Sequence, residues 1–448
     1  MGRADSNGLP RREYVQSLVA VGGAAALASC VAELGDKPVP SGADDPESLP
    51  VRQHAWNAFL STDDHGNHVA PRHHVLQYLS YRGAGTPSAT DREHVESALR
   101  TLERAYEWSN EGLLFTIGYS PAYADRFEAP LPASVDLPEP GSLSSLEDPA
   151  LDRTDALLHL ASDRPEVLLR VEEALFGDRD ELNGVSVDAD LTTAFERVDR
   201  RTGFVGEGLP AEKQAGVRGI PDSNPVPEEA PLFMGFRSSF RRNQATEDRV
   251  TIENGPFAGG TTQHVSKLRL QLEVWYEQDS HYQRVAKMFS PKHAEEELVG
   301  TVGERLTDSA LIDDEVSERT AADARQFGMV GHAQKVARVR EDGMPLLLRR
   351  DFDSTDGGEA GLHFLSLQRG IGDFERTREA MNGADVAGTS AVGARLNNGI
   401  LQYVFVQRRG NFLLPPRARR ALPDVGADDR QQLPESDANA GNLHTDEG

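Results

Sequence analysis

The sequence is short of cysteine, of lysine and of long apolar runs. Cys30 is the only cysteine among 448 residues, so neither an intrachain disulfide nor a thiolate metal cage can form. Lysine occurs six times, at Lys37, Lys213, Lys267, Lys287, Lys292 and Lys335. Past residue 30, no segment stays apolar over the ~20 residues that a membrane-crossing helix needs. Positive charge is scarce: 47 Lys and Arg stand against 72 Asp and Glu, a net charge of -25. Such a surface repels a polyanion, which excludes nucleic acid as a partner. It also repels itself in dilute buffer, and concentrated salt screens that repulsion. The acidic, lysine-poor composition therefore points to a salt-loving host.

What is present begins with an address. Arg11 and Arg12 stand as a pair before Glu13, Tyr14 and Val15, and an Ala/Gly-rich apolar run extends from Ser17 to Ala28. The run is too short to span a bilayer. Twin arginines ahead of such a run are the signal read by the export route for folded proteins. The run ends Leu27-Ala28-Ser29-Cys30, which resembles the lipobox of bacterial lipoproteins, where small residues let the peptidase reach the bond before a lipidated cysteine. The expectation is a signal peptide over 1–30, twin-arginine export, and anchoring to the outer face of the cell membrane through Cys30. The competing reading is an ordinary signal peptide with a chance cysteine.

Composition divides the remainder. Residues 31–50, rich in Pro, Gly, Ser and Asp, read as a flexible tether, and residues 421–448, with Asp428, Asp429, Glu435, Asp437, Asp446 and Glu447, as a disordered acidic tail. Segment 203–231, with its glycines, prolines and Glu228-Glu229, reads as a link, dividing the body into halves at 51–225 and 226–420.

Each half carries the same pattern. In residues 74–81, Val75, Gln77, Leu79 and Tyr81 alternate with His74, Leu76, Tyr78 and Ser80, which predicts a strand. Thr90 and Asp91 can cap a helix running to about Trp108. Leu113–Tyr119 and Ala156–Ala161 read as strands, and Pro165–Leu175 as a helix with proline in its first turn. In the later half Leu268, Leu270, Leu272 and Val274 face one way while Lys267, Arg269, Gln271 and Glu273 face the other. Helices are expected at 276–289 and 371–381, interleaved with strands at 361–368 and 399–407. Two βαββαβ-like units give an α+β fold, with helices packed on antiparallel sheets.

Several segments, in order, resemble the dye-decolourising (DyP-type) peroxidases. Leu113-Leu114-Phe115-Thr116-Ile117-Gly118-Tyr119-Ser120 is similar to a first-half strand of that family, and Asp155-Ala156-Leu157-Leu158-His159-Leu160-Ala161-Ser162-Asp163 to the strand opening its next unit. Phe233-Met234-Gly235-Phe236-Arg237-Ser238-Ser239 stands where the family carries Gly-Phe-x-Asp-Gly. Gly331-His332 falls at its haem-ligating histidine, and Leu348-Arg349-Arg350-Asp351-Phe352 matches the stretch with its distal arginine. His363–Arg369 with Asp373-Phe374, and the closing Gly410-Asn411-Phe412-Leu413-Leu414-Pro415-Pro416, complete the series from about residue 70 to 416. The resemblance implies two ferredoxin-like halves of the dimeric α+β barrel type, with one b-type haem in the second; a single cysteine leaves no c-type attachment.

The chemistry implied has definite requirements. A neutral imidazole binds iron on one face of a porphyrin, and His332 is the candidate. Across it, a permanently charged guanidinium stabilises negative charge on the departing peroxide oxygen; Arg349 is the candidate, with Arg350 as the alternative. The family's distal aspartate is replaced by Ser238, and the following glycine by Ser239. A hydroxyl at its ordinary pKa is no base. Two functions stay open on this ground: a peroxidase using hydrogen peroxide and an organic or inorganic electron donor, or a haem-binding, haem-delivering or haem-free surface lipoprotein. Separately, His54, His65, His68, His73 and His74 cluster beside Asp63 and Asp64; they are either transition-metal ligands or a solvated loop without helical ligand spacing.

Overall fold

The computed structural model describes residues 38–388 and 391–426. Arg11, Arg12 and Cys30, with most of segment 421–448, lie outside them.

Alternation builds the first half. Strand β1 (His73–Tyr81) sends Val75 and Leu79 into one apolar cluster and Leu76 and Tyr78 into another, so both faces are buried. Helix α1 (Ala89–Ala105) adds Val95, Leu99 and Leu102 to the first cluster. Its cap is Ser88, not Thr90. Ser88 Oγ accepts from the Asp91 N–H at 3.1 Å, and Asp91 returns a bond to the Ser88 N–H at 3.0 Å, a reciprocal arrangement that satisfies two orphan donors at once. The helix stops before Trp108, which packs edge-on against Phe115 at 5.2 Å. Next come β2 (Leu114–Tyr119), β3 (Ala156–Ser162), α2 (Pro165–Leu175) and β4 (Phe195–Phe204). The antiparallel order is β4-β1-β3-β2, with α1 and α2 packed on one face.

The second half repeats the plan with longer insertions. It comprises β5 (Thr261–Leu270), α3 (His281–Met288), α4 (His332–Val336), β6 (Leu348–Arg349), β7 (Phe352–Ser354), β8 (Gly361–Gln368), α5 (Ile371–Asn382) and β9 (Val404–Leu414). The order is β9-β5-β8-β7, and β6 pairs β8 beyond β7 on the same edge. The expected helix at 276–289 is two pieces, Glu273–Glu277 and α3, because the Ser280–Gln283 capping box restarts it.

Two narrow seams join the halves. Leu413 pairs with Tyr119 between β9 and β2, and Asp353 with Phe204 between β7 and β4, closing eight strands into a barrel. A glycine lies at each seam. A Cβ on Gly118 would come within 2.7 Å of Leu414, and one on Gly203 within 2.2 Å of the Asp353 carbonyl oxygen and the Phe352 ring. The chain is thus α+β, two ferredoxin-like halves closed into an antiparallel barrel with helices outside. A third apolar cluster draws Tyr78, Leu157, Phe352, Leu365 and Phe412 from both halves.

Segments read as connectors are packed where described. Gly42 and Ala43, in the expected tether, donate to the Arg104 and Glu103 carbonyls at 3.1 and 3.0 Å. Within 203–231, Val217, Ile220, Val226 and Ala230 enter the second half's core. Leu422 and Val425, just inside the expected tail, are buried in the first. Among the described residues no helix is long and apolar enough to cross a membrane.

Candidate active site

An opening onto chemistry lies outside the barrel, between the β9-β5-β8 face of the second half and its inserted helices. It is a cavity of about 260 Å³ walled mainly by apolar side chains, among them Leu268, Phe289, Leu362, Phe364 and Ile400. His332, Arg349 and Ser238, far apart in sequence, all line it.

His332 is the first residue of α4, and close contacts fix that start. A Cβ on Gly331 would fall 1.8 Å from the Phe289 carbonyl oxygen, and Gly399, at φ +62, lies against the His332 backbone. Gln334 holds the turn from below, accepting from the Gly331 N–H at 3.2 Å and donating to Asp323 at 2.7 Å. Lys335 Nζ anchors the same turn on Asn398 Oδ1. The ring is half-buried, with Nδ1 sealed from solvent and without a partner; no described residue hydrogen-bonds either nitrogen. Burial, then the Lys335 and Arg349 cations, push the imidazole down to about 3. It is neutral at any ordinary pH.

Arg349 sits on β6, its backbone N–H donating to Gln244 Oε1 at 2.9 Å and its carbonyl accepting from Gln244 Nε2 at 3.3 Å. Its Nη1 lies 3.4 Å from Asp351 Oδ2. Arg350 turns to the opposite face. It stacks over Trp56 at 4.0 Å and donates to the His54 carbonyl oxygen at 2.7 Å, and it does not line the cavity. Phe352 follows Arg350 inward and stacks on His74 at 4.3 Å.

Ser238 is exposed at the cavity edge, its hydroxyl 3.5 Å from that of Ser239. Ser239 has φ +60, in the left-handed region that glycine adopts freely and serine rarely does. Ser239 thus holds a turn conformation that glycine adopts freely.

Two acidic residues that the sequence reading passed over share the cavity. Residues 349, 351 and 353 alternate onto one face, so Asp351 and Asp353 line the cavity with Arg349. Asp351 Oδ1 accepts from the Leu365 N–H at 3.2 Å, and burial pushes its carboxyl up to about 6 against the pull of Arg349. Asp353 is 1% exposed and accepts from the Phe233 N–H; burial pushes it far above the carboxylate range. Period-2 alternation from Arg349 was the signal that could have found both.

The clustered histidines disperse. His54 Nε2 meets Thr251 Oγ1 at 2.9 Å, His74 Nδ1 meets His159 Nε2 at 3.0 Å in the barrel, and His65 is exposed. Among the described residues, no group of three or more His, Cys, Asp or Glu is placed to hold a metal ion.

Comparison with known proteins bears on the whole body. The model of a family of unknown function (DUF7405) matches residues 71–416. No curated protein matches the sequence. Among solved structures, the encapsulated DyP-type peroxidase from Mycobacterium smegmatis aligns at 15% identity over 87% of this chain and 100% of its own, with a TM-score of 0.50. DyPB from Rhodococcus jostii RHA1 aligns at 16% identity over 84% and 99%, with a TM-score of 0.50. A variant of that protein in complex with heme aligns at 16% over 84% and 100%, also at 0.50. At such identities the likeness is one of fold.

Proposed function

The chain belongs to a family of unknown function (DUF7405), and from that premise we propose that it is an exported, membrane-anchored haem protein that oxidises donors with hydrogen peroxide. The convergence of His332, Arg349 and Ser238 on one apolar cavity carries the reading. The residues present fit an iron porphyrin. A neutral imidazole with no hydrogen-bond partner faces an apolar space, which suits a metal ligand better than a structural histidine, whose nitrogens are normally satisfied when buried.

His332 would hold a b-type haem, and when bound that group supplies the iron site and the electrons that peroxide reduction consumes. Arg349 would place its guanidinium to stabilise negative charge on the departing oxygen. The apolar walls exclude bulk water, which strengthens that electrostatic effect. Ser238 can hold a water or a peroxide oxygen by its hydroxyl, but cannot take its proton unaided. That serine favours a second reading, a surface lipoprotein that binds and delivers haem, or none, without turnover. An absorption spectrum of protein folded with haem tests the binding, and peroxide titration then separates the two. A Soret band that bleaches or shifts with peroxide supports the enzyme; an unresponsive one supports the carrier.

Delivery is part of the proposal. The twin arginines, the short apolar run and Cys30 support export of a folded chain and its lipid anchoring, and the net charge of -25 suits concentrated salt. Arg11→Lys with Arg12→Lys is expected to keep the protein in the cytoplasm, and Cys30→Ser to release it after export. Fractionation of cells checks both, and membrane recovery of the Cys30→Ser protein would remove the anchor from the account.

A further inference from the structure

We infer that Asp351, and not Ser238, is the acid–base group of the cavity, moving the proton between the two oxygens of bound hydrogen peroxide. The inference deepens the peroxidase reading and rests on it. Ser238 stands at the rim and is exposed. Asp351 lies within the wall beside Arg349, its side chain 6% exposed, with Oδ2 3.4 Å from Arg349 Nη1. One carboxylate oxygen is committed to the Leu365 N–H, which orients the group. The other faces the cation that would stabilise the leaving oxygen.

The proton balance closes on this residue. Ionised Asp351 takes the proton from one peroxide oxygen and returns it to the other, which leaves as water once the O–O bond breaks. Asp351 ends as it began; the second oxygen becomes another water with two protons taken from solvent, and the two electrons are those that bound haem would supply and the donor restore. The burial that raises its carboxyl to about 6 makes it a better base than an exposed aspartate, while leaving it ionised at neutral pH.

Other titratable and charged groups face the same space. Arg349 and Asp353 flank it on its own segment, and His332 faces it from α4. Arg237, Arg340, Arg378 and Arg409 line the cavity from the loop before β5, the segment after α4, α5 and β9. Burial raises the Asp353 carboxyl well above its ordinary value, and it raises Asp351 to about 6.

Asp351→Asn is the test, because the amide keeps an oxygen for the Leu365 N–H. In haem-loaded protein the variant is expected to react with hydrogen peroxide about 10²–10⁴-fold more slowly, with unchanged haem stoichiometry. The native rate should fall as pH drops through about 6, Asp351→Glu should recover part of the rate, and Ser238→Ala should retain the acid limb. A second readout needs no haem. Between the ordinary carboxylate range, about 4, and about 6, native protein holds a proton that the unfolded chain has released, so its stability falls as pH rises through that window. The stability of Asp351→Asn relative to native should therefore climb from pH 4 to 6 and then level. Native-like peroxide kinetics and pH profile in Asp351→Asn would overturn the inference, as would a flat stability difference. Protein that binds no haem yet shows the climbing difference would sink the peroxidase reading and leave the titration of Asp351 standing.

Discussion

His332→Ala is expected to abolish stoichiometric haem binding while leaving the fold intact. The imidazole makes no hydrogen bond that its removal would break, and it already borders a cavity, so truncation opens little new void. Loss of a partner behind a metal ligand typically costs about 10–100-fold in affinity, and loss of the ligand itself should exceed that range. His74→Ala is the informative counterpart. That ring hydrogen-bonds His159 at 3.0 Å and stacks on Phe352 at 4.3 Å in the barrel, so its removal should cost about 2–4 kcal/mol of stability and leave the haem spectrum unchanged. The two variants should therefore show opposite signatures in absorbance titration and in denaturant unfolding. A His332→Ala protein with the native spectrum and stoichiometry would mean that another group ligates iron.

Glu103→Ala should produce the largest loss of stability at a single charged residue. Glu103 is 2% exposed on α1 and takes both Arg417 and Arg420. Arg417 also lies over Trp108 at 4.6 Å, and Arg420 bonds Glu96 at 3.1 Å. These contacts tie the segment after β9 to the first half, beside the Leu413–Tyr119 seam. Removing the shared carboxylate leaves Arg417 without an ion pair among the described residues and Arg420 with Glu96 alone, and breaking such a buried pair typically costs about 3–5 kcal/mol. Because the pair is buried, concentrated salt should rescue little of that loss. Removing Glu47 from its exposed pairing with Arg100 should cost less than about 1 kcal/mol. Urea titrations at low and high salt check both, and a Glu103→Ala protein within 1 kcal/mol of native would show the cluster to be dispensable.

What was legible in the sequence follows from where the information lies. Strand β1 announces itself by alternation, β2, β3 and β8 by short, largely apolar runs, and α2 by proline in its first turn, because those signals are local. Strand β9 was expected at 399–407 and lies at Val404–Leu414. Asn397 at φ +56 and Gly399 at φ +62 prevent an earlier start. The polar run Arg409-Gly410-Asn411 continues the strand because each side chain finds a distant partner: Arg409 meets Glu147 at 2.9 Å, and Asn411 meets His264 at 2.7 Å. Strand β5 begins earlier than its apolar pattern for the same reason, with Gln263 and His264 buried. Pairings of that range leave no local trace.

The site divides in the same way. His332, Arg349 and Ser238 were found by their order along the chain, and the cavity brings all three together. Arg350 could not be separated from its neighbour until the strand showed which faces the cavity and which covers Trp56. Asp351 carries no mark of its role in the sequence, since a surface aspartate and a buried one read alike there. Burial alone distinguishes them.

The most direct test of the central claim is a crystal structure of the chain reconstituted with haem. The account predicts one haem per chain in the cavity, its iron bonded to a ring nitrogen of His332, with Arg349 and Asp351 bordering the open coordination position. Iron on any other residue, haem lodged outside the cavity, or an empty cavity after saturation with haem would contradict it.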